Sequence, residues 1–263
     1  MLFTDQLNNT IHLTSYPKRI ISLVPSQSEL LWDLGLRDEL VGITKFCIHP
    51  KEMFDKTERI GGTITLNIEK IRALKPDLII GNKEENEQTQ ILELQKEFPV
   101  WMSDIYNLED ALQMIAIVGK LVNQSSKASH IKNQIQQSFF DLQKISKTVL
   151  YLIWNKPYMA AGRATFIGDM LQKIGLKNVT LRASVTDKSN RYPELSLEEI
   201  KVLNPEVIFL SSEPYPFKNN HVKELEKNLP NCKVLLVDGE LFSWYGSRLI
   251  KSVSYFNELI KQL

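Results

Sequence analysis

The sequence predicts an α/β protein of two Rossmann-like lobes, with central parallel or mixed sheets, joined by one long backbone helix. Three observations carry this expectation. A helix–proline–strand unit is written twice, 129 residues apart in a chain of 263. Strand and helix patterns alternate in both halves. From Leu108 to about Ser146 nearly every residue fits a helical pattern. The expected division is residues 1–123 for an N-terminal lobe, 124–147 for the connecting helix and 148–263 for a C-terminal lobe.

The first copy of the unit runs from Leu66 to Ile80 and the second from Leu195 to Phe209. Each opens on a helix N-cap, Asn67 or Ser196, whose side-chain oxygen accepts an orphan backbone N–H. Two residues on stands a carboxylate, Glu69 or Glu198, which suits the positive end of a helix dipole. Each helix stops before Pro76 or Pro205, because the residue before proline is pushed out of the helical region. Leu78-Ile79-Ile80 and Val207-Ile208-Phe209 then read as buried strands of a parallel sheet. Repetition at half the chain length suits two similar lobes rather than a solenoid. The plainer alternative is a common αβ unit used twice.

The other elements follow in order. Asn8-Asn9 between Phe3-Thr4 and Ile11-Leu13 predicts a hairpin with an Asx-type turn. Arg19–Val24 is a buried strand, and Pro25-Ser26 opens a helix closed by Gly35. Val41–Thr44 is a strand leading to the loop Lys45–Pro50. A polar segment follows to Arg59, then a tight turn at Gly61-Gly62. Glu87–Lys96 reads as a helix and Val100-Trp101 as a short strand. Leu112, Ile115, Ala116, Gly119 and Val122 share one helical face, and Ala128, Ile131, Ile135, Phe139, Leu142 and Ile145 another. The second of these helices, about twenty residues and ~30 Å long, would be a rigid strut. In the C-terminal half, Thr148–Trp154 is a strand, residues 155–163 a loop, and Phe166–Ile174 a helix closed by Gly175. The loop Asp187–Pro193 precedes the second copy. Val234–Val237 is a strand, 238–246 a loop, and a helix ends the chain.

Composition excludes some functions. Thirty-two Lys+Arg against 31 Asp+Glu leave no basic field for nucleic acid or an anionic membrane. Cys47 and Cys232 form no CxxC or zinc spacing. No apolar run reaches the length of a membrane span. Met1–Asp5 lacks the start of a signal peptide, which leaves open a cytoplasmic chain or a leader outside this sequence.

Ligands of open α/β sheets sit beyond the carboxyl ends of the strands. The loops leaving those ends carry Phe46 and His49, Tyr158, Arg191-Tyr192, and Phe242, Trp244 and Arg248. Aromatic rings with polar tips suit a broad, flat, amphipathic ligand, although aromatic loop residues also close local cores. His49 is a possible metal ligand or a loop hydrogen-bonder. Asp238 and Glu240 have no specific metal spacing. Gly162-Arg163-Ala164-Thr165 is neither GxGxxG nor a Walker loop. There is no GxSxG elbow and no nucleophile–base pair, so nothing calls for an enzyme.

Across nearly its whole length the chain resembles the helical-backbone class of ABC-importer substrate-binding proteins. That class carries vitamin B12, iron–siderophores, haem, zinc or manganese. The residues concerned are Asp5–Ile11, Pro17–Leu23, Pro25-Ser26-Gln27-Ser28-Glu29, Val41–Thr44 with Cys47–Pro50, Leu74–Asp77 and the duplicated unit. They are most similar to the cobalamin-binding branch. The resemblance implies that Phe46, His49, Tyr158 and Tyr192 line the cleft that grips a corrin, with Phe242, Trp244 and Arg248 in the matching C-terminal loop. It implies that Glu69 and Glu198, one per lobe, dock into arginine pockets of an ABC permease that works with its ATPase. It also implies a monomer with no intrinsic cofactor, carrying cobalamin or an iron complex as cargo in a periplasmic or membrane-associated extracytoplasmic setting. Thr63 departs from the pattern, standing where a B12 binder of that branch carries a large aromatic. An iron–siderophore, haem or metal-ion cargo is the first alternative, with Arg163, Arg182, Arg191 and Arg248 as anion-binding candidates. A cytoplasmic, chelatase-like tetrapyrrole enzyme is the second.

Overall fold

The computed structural model describes residues 1–180 and 191–263. Arg182 and the loop residues Asp187–Asn190 lie outside the described residues. The chain divides into two compact units: Met1–Ile105, Glu109–Gln136 and Trp244–Leu249 form the first, and Tyr106–Leu108, Gln137–Ser243 and Ile250–Leu263 the second.

The first unit opens on an antiparallel hairpin, β1 (Leu2–Thr4) and β2 (Thr10–His12). Its turn is held by Asp5, whose Oδ1 accepts from the backbone N–H groups of Leu7 and Asn9. A side-chain turn was expected at Asn8-Asn9; it is the Asp5 side chain that holds it. Then come β3 (Ile20–Ser22), α1 (Pro25–Asp33), β4 (Leu40–Ile43), α2 (Lys51–Lys56) and β5 (Glu58–Arg59). After them follow α3 (Ile68–Leu74), β6 (Leu78–Asn82), α4 (Gln88–Leu94), β7 (Val100–Ser103), α5 (Leu108–Leu121), which belongs to this unit from Glu109 on, and α6 (Ser125–Phe140), which belongs to it as far as Gln136. The sheet is five-stranded and parallel, in the order β5-β4-β3-β6-β7. Its core gathers Ile21, Leu23, Ile71, Ile79, Leu94 and Val100.

The second unit contains β8 (Thr148–Trp154), β9 (Tyr158–Ala160), α7 (Phe166–Ile174), β10 (Lys177–Asn178), β11 (Glu194–Leu195) and α8 (Leu197–Leu203). It continues with β12 (Val207–Ser211), α9 (Asn219–Asn228), β13 (Lys233–Val237), α10 (Gly239–Ser243) and α11 (Leu249–Ile260). Its sheet is mixed. β8, β12 and β13 run parallel, β10 joins β8 in parallel, and β9 and β11 add antiparallel strands on the path β11-β9-β8-β12-β13. The fold class is therefore α/β with one parallel and one mixed sheet.

The duplicated unit folds the same way twice. α3 and α8 both have seven residues, and their caps match in kind: Asn67 Oδ1 accepts from the Lys70 N–H and Ser196 Oγ from the Glu199 N–H. Both helices end on a residue before proline that has left the right-handed region. That residue goes to the left-handed side, with φ 47° at Lys75 and 45° at Asn204. The carboxylate after each proline ties the following strand to its neighbour. Asp77 accepts from the backbone N–H groups of Lys18 and Arg19, and Glu206 from the backbone N–H and hydroxyl of Thr148. Arg19 and Thr148 are again 129 residues apart.

Two expectations change. The helix expected over 124–147 is α6, Ser125–Phe140. Leu142 and Ile145 keep the apolar spacing, but the backbone donors there are used elsewhere. The Ile145 N–H bonds the Ile174 carbonyl and the Gln143 N–H bonds Asn257 Oδ1. The segments read as polar stretch or loop contain short elements: α2, β9 and α10.

Candidate functional site

In the first unit the loop after β4 presents Phe46, half of whose surface is exposed. The Lys45 ammonium sits 5.1 Å from its ring centroid, and Gly62 is close enough that a Cβ there would come within 3.3 Å of the ring. His49, partly buried, packs edge-on against Trp244, with ring centroids 5.9 Å apart.

Trp244 belongs to a six-residue segment built into this unit by its polar groups. The Arg248 guanidinium lies 4.4 Å from the Trp244 ring centroid. It also makes a buried, bidentate pair with Glu29 of α1, Nε donating to Oε2 at 2.8 Å and Nη2 to Oε1 at 3.0 Å. Ser247 Oγ donates to Asp33 Oδ2, and the Tyr245 hydroxyl to Glu85 Oε1 at 2.7 Å. Burial, together with the Glu85 carboxylate, raises the Tyr245 phenol well above its ordinary range. Gly246 permits the approach: a Cβ there would come within 2.3 Å of the Ser26 carbonyl oxygen. Trp244 and Arg248 thus have structural partners that their loop position did not reveal.

In the second unit Tyr158 opens β9 and packs, partly buried, against the core around Leu150, Ile208 and Leu225. Burial raises its phenol pKa. Tyr192 is partly buried beside Arg191, whose guanidinium lies 5.8 Å from the Tyr192 ring centroid and 4.6 Å from that of Tyr106. Arg191 Nε also donates to the Ala164 carbonyl, and Arg163 Nε to the Asn178 carbonyl. Phe242 is fully buried among Tyr151, Phe209 and Phe256. Its ring is part of the core and offers no exposed surface to a ligand.

Glu69 and Glu198 stand in the first turns of α3 and α8. Their side chains are 83% and 78% exposed. Each pairs with a cation three residues on, Glu69 with Arg72 and Glu198 with Lys201. Arg72 also reaches Glu93 and Glu97.

Among the described residues no group of three or more His, Cys, Asp and Glu is placed to hold a metal ion. Asp238 Oδ1 accepts from the Leu241 N–H inside α10. Cys47 and Cys232 are free thiols. No helix among the described residues is long and apolar enough to cross a membrane.

One aromatic group escaped the sequence reading. Trp154, Tyr215, Phe217 and His221 interlock at the ends of β8 and β12. The only signal was a tryptophan closing an apolar strand, and it reads equally well as the strand's own core.

Two lobes of this topology, built on a duplicated αβ unit, define a class. Residues 20–230 match the periplasmic binding protein family, and the chain belongs to it. It is 25% identical to YvrC, an uncharacterised ABC transporter substrate-binding lipoprotein of Bacillus subtilis strain 168, over 97% of this chain and 84% of that one. It is 28% identical to the vitamin B12-binding protein of Vibrio cholerae serotype O1, over 78% of this chain and 74% of that one. The crystal structure of the periplasmic vitamin B12 binding protein BtuF of Vibrio cholerae superposes with a TM-score of 0.76 at 24% identity, covering 94% of this chain and 98% of that one. The haem-binding protein BhuT with two haems superposes with a TM-score of 0.79 (18% identity, 93% and 98% covered). The siderophore-binding protein BauB does so with a TM-score of 0.75 (20% identity, 98% and 99% covered).

Proposed function

We propose that this chain is the extracytoplasmic substrate-binding protein of an ABC importer and that its cargo is cobalamin or a related corrinoid or metal tetrapyrrole. The observation that carries the transport reading is the pair Glu69 and Glu198. Equivalent helices in the two units hold equivalent, solvent-exposed carboxylates, which suits contact with cationic pockets on a two-fold permease driven by its ATPase. The cargo reading is supported by the B12-binding relatives and by the aromatic loops. Phe46 and His49 of the first unit and Tyr158 and Tyr192 of the second are the proposed ligand contacts, with Trp244 backing His49. Phe242 is omitted because it is consumed by the core. Arg248 is assigned to anchoring its own segment through Glu29. No catalytic step is assigned to any residue.

An iron–siderophore or haem cargo is the second reading. It is favoured by the haem- and siderophore-binding proteins that share the fold and by Arg163 and Arg191 in the loops of the second unit.

The metal content and absorption spectrum of the protein as isolated, followed by thermal melts with cyanocobalamin, haemin and a ferric siderophore, test both readings. A ligand present at 100 times its Kd stabilises by about 2.7 kcal/mol. Cobalt with corrin bands, or a melting shift with cyanocobalamin, supports the first reading. A shift with haemin or the siderophore alone supports the second. No bound chromophore and no shift with any of the three overturns both.

A further inference from the structure

We infer that Trp154 and Tyr215 form a ligand platform in the second unit, on which the ring of a flat macrocycle rests while the Tyr215 hydroxyl donates to an acceptor on its rim. The inference rests on the proposed capture of a corrinoid or tetrapyrrole and adds residues that the resemblance did not supply.

The position comes first. β8 ends at Trp154, and β12, its parallel neighbour, ends at Ser211, four residues before Tyr215. Open α/β sheets bind ligands beyond such strand ends. Trp154 is 42% exposed, whereas Trp32, Trp101 and Trp244 are each 6% exposed or less. A large indole left open at a strand end loses contact area that a flat apolar ligand would restore. It is also fixed in place, meeting Tyr215 edge-on with ring centroids 5.6 Å apart. Tyr215 in turn packs on buried Phe217 at 4.8 Å and on His221 at 5.5 Å.

The direction of the Tyr215 proton follows from its partners. The backbone N–H of Lys218 donates to His221 Nδ1 at 2.9 Å. That nitrogen therefore carries a lone pair, and in the neutral ring the proton sits on Nε2. Nε2 lies 3.2 Å from the Tyr215 oxygen and donates to it. Asn155 Nδ2 donates to the same oxygen, at 3.4 Å. With both neighbours acting as donors, the Tyr215 O–H bond points at neither. A partly buried tyrosine whose oxygen is already satisfied presents a fixed donor. The amide carbonyls around a corrin and the propionates of a haem both offer acceptors at the rim of a flat ring.

Acrylamide quenching of intrinsic fluorescence tests the platform, because Trp154 is the exposed member of the four tryptophans. Cyanocobalamin and haemin are the probes. The wild-type protein should show one quencher-accessible class of emission, which Trp154→Phe removes and the bound probe protects. Tyr215→Phe keeps the ring, should melt with the wild type, and should bind the probe about three- to tenfold more weakly. A probe that binds while Trp154 stays fully accessible overturns the platform and leaves the proposed function intact. The platform is equally overturned if Tyr215→Phe binds as tightly as the wild type, or weakens only together with early melting. If neither probe binds the wild-type protein, the corrinoid and haem readings fall, and the platform with them.

Discussion

Arg248 shows how a side chain can be chemically conspicuous and still be committed to the fold. It and Glu29 are both buried and meet through two charge-assisted hydrogen bonds across 219 residues of sequence. Removing one partner of such a pair strands the other charge away from water. Arg248→Ala should therefore cost about 3–5 kcal/mol, measured by urea unfolding. The Glu29→Leu, Arg248→Met double variant should recover much of that loss. Cys47 is a second case. Burial pushes its thiol up from 9.0 to about 11, even though Ser28 and Thr44 hydrogen-bond to it. The folded chain holds that proton more tightly than the unfolded one does. The resulting stability is complete below pH 9 and fades as pH rises toward 11, and Cys47→Ser should flatten that part of a stability–pH curve. None of these partnerships was legible in the sequence. No local spacing joins Glu29 to Arg248, and a cysteine beside an aromatic loop carries no sign of its depth.

Elements with strong ends were legible because their signals are local. Asn67, Ser196 and Thr165 cap their helices, and Gly35 and Gly175 close theirs with φ near 90°. Thr165 is the most deeply placed of these caps. Its hydroxyl oxygen accepts from the Gly168 N–H while its proton goes to the Gly162 carbonyl. Thr165→Ala should cost about 1–2 kcal/mol, read as a lower denaturant midpoint with an unchanged slope. The elements that escaped lacked such signals. α9 offers only Val222, Leu225 and, one residue past its end, Leu229 to the core, a thin apolar stripe among polar residues. β9 has three residues and follows a proline in what composition marks as loop. α6 fails in the opposite sense: its apolar spacing runs past Phe140, but the backbone beyond is claimed by Ile174 and Asn257. Periodicity records which side chains are buried, and the backbone can meet that demand without a helix.

At the scale of the whole chain, the duplication was readable because it repeats to the residue. α3 and α8, β6 and β12, and the carboxylates Asp77 and Glu206 all keep the 129-residue spacing. The assignment of Trp244–Leu249 to the first unit was not readable, since it depends on partners that only folding brings together. The duplication leads to the docking prediction. Glu69→Ala with Glu198→Ala should abolish ligand-stimulated transport by vesicles that carry the permease, yet leave ligand affinity and melting temperature unchanged. A large loss of affinity would assign these carboxylates to the ligand instead.

The proposal on which the rest depends is that this protein captures a corrinoid. Calorimetric titration of the purified protein with cyanocobalamin tests it most directly. The expected result is one-to-one binding with a Kd of about 1 μM or tighter, equivalent to roughly −8 kcal/mol or better. Absence of both heat and saturation at about 100 μM ligand, a ceiling near −5.5 kcal/mol, would contradict it.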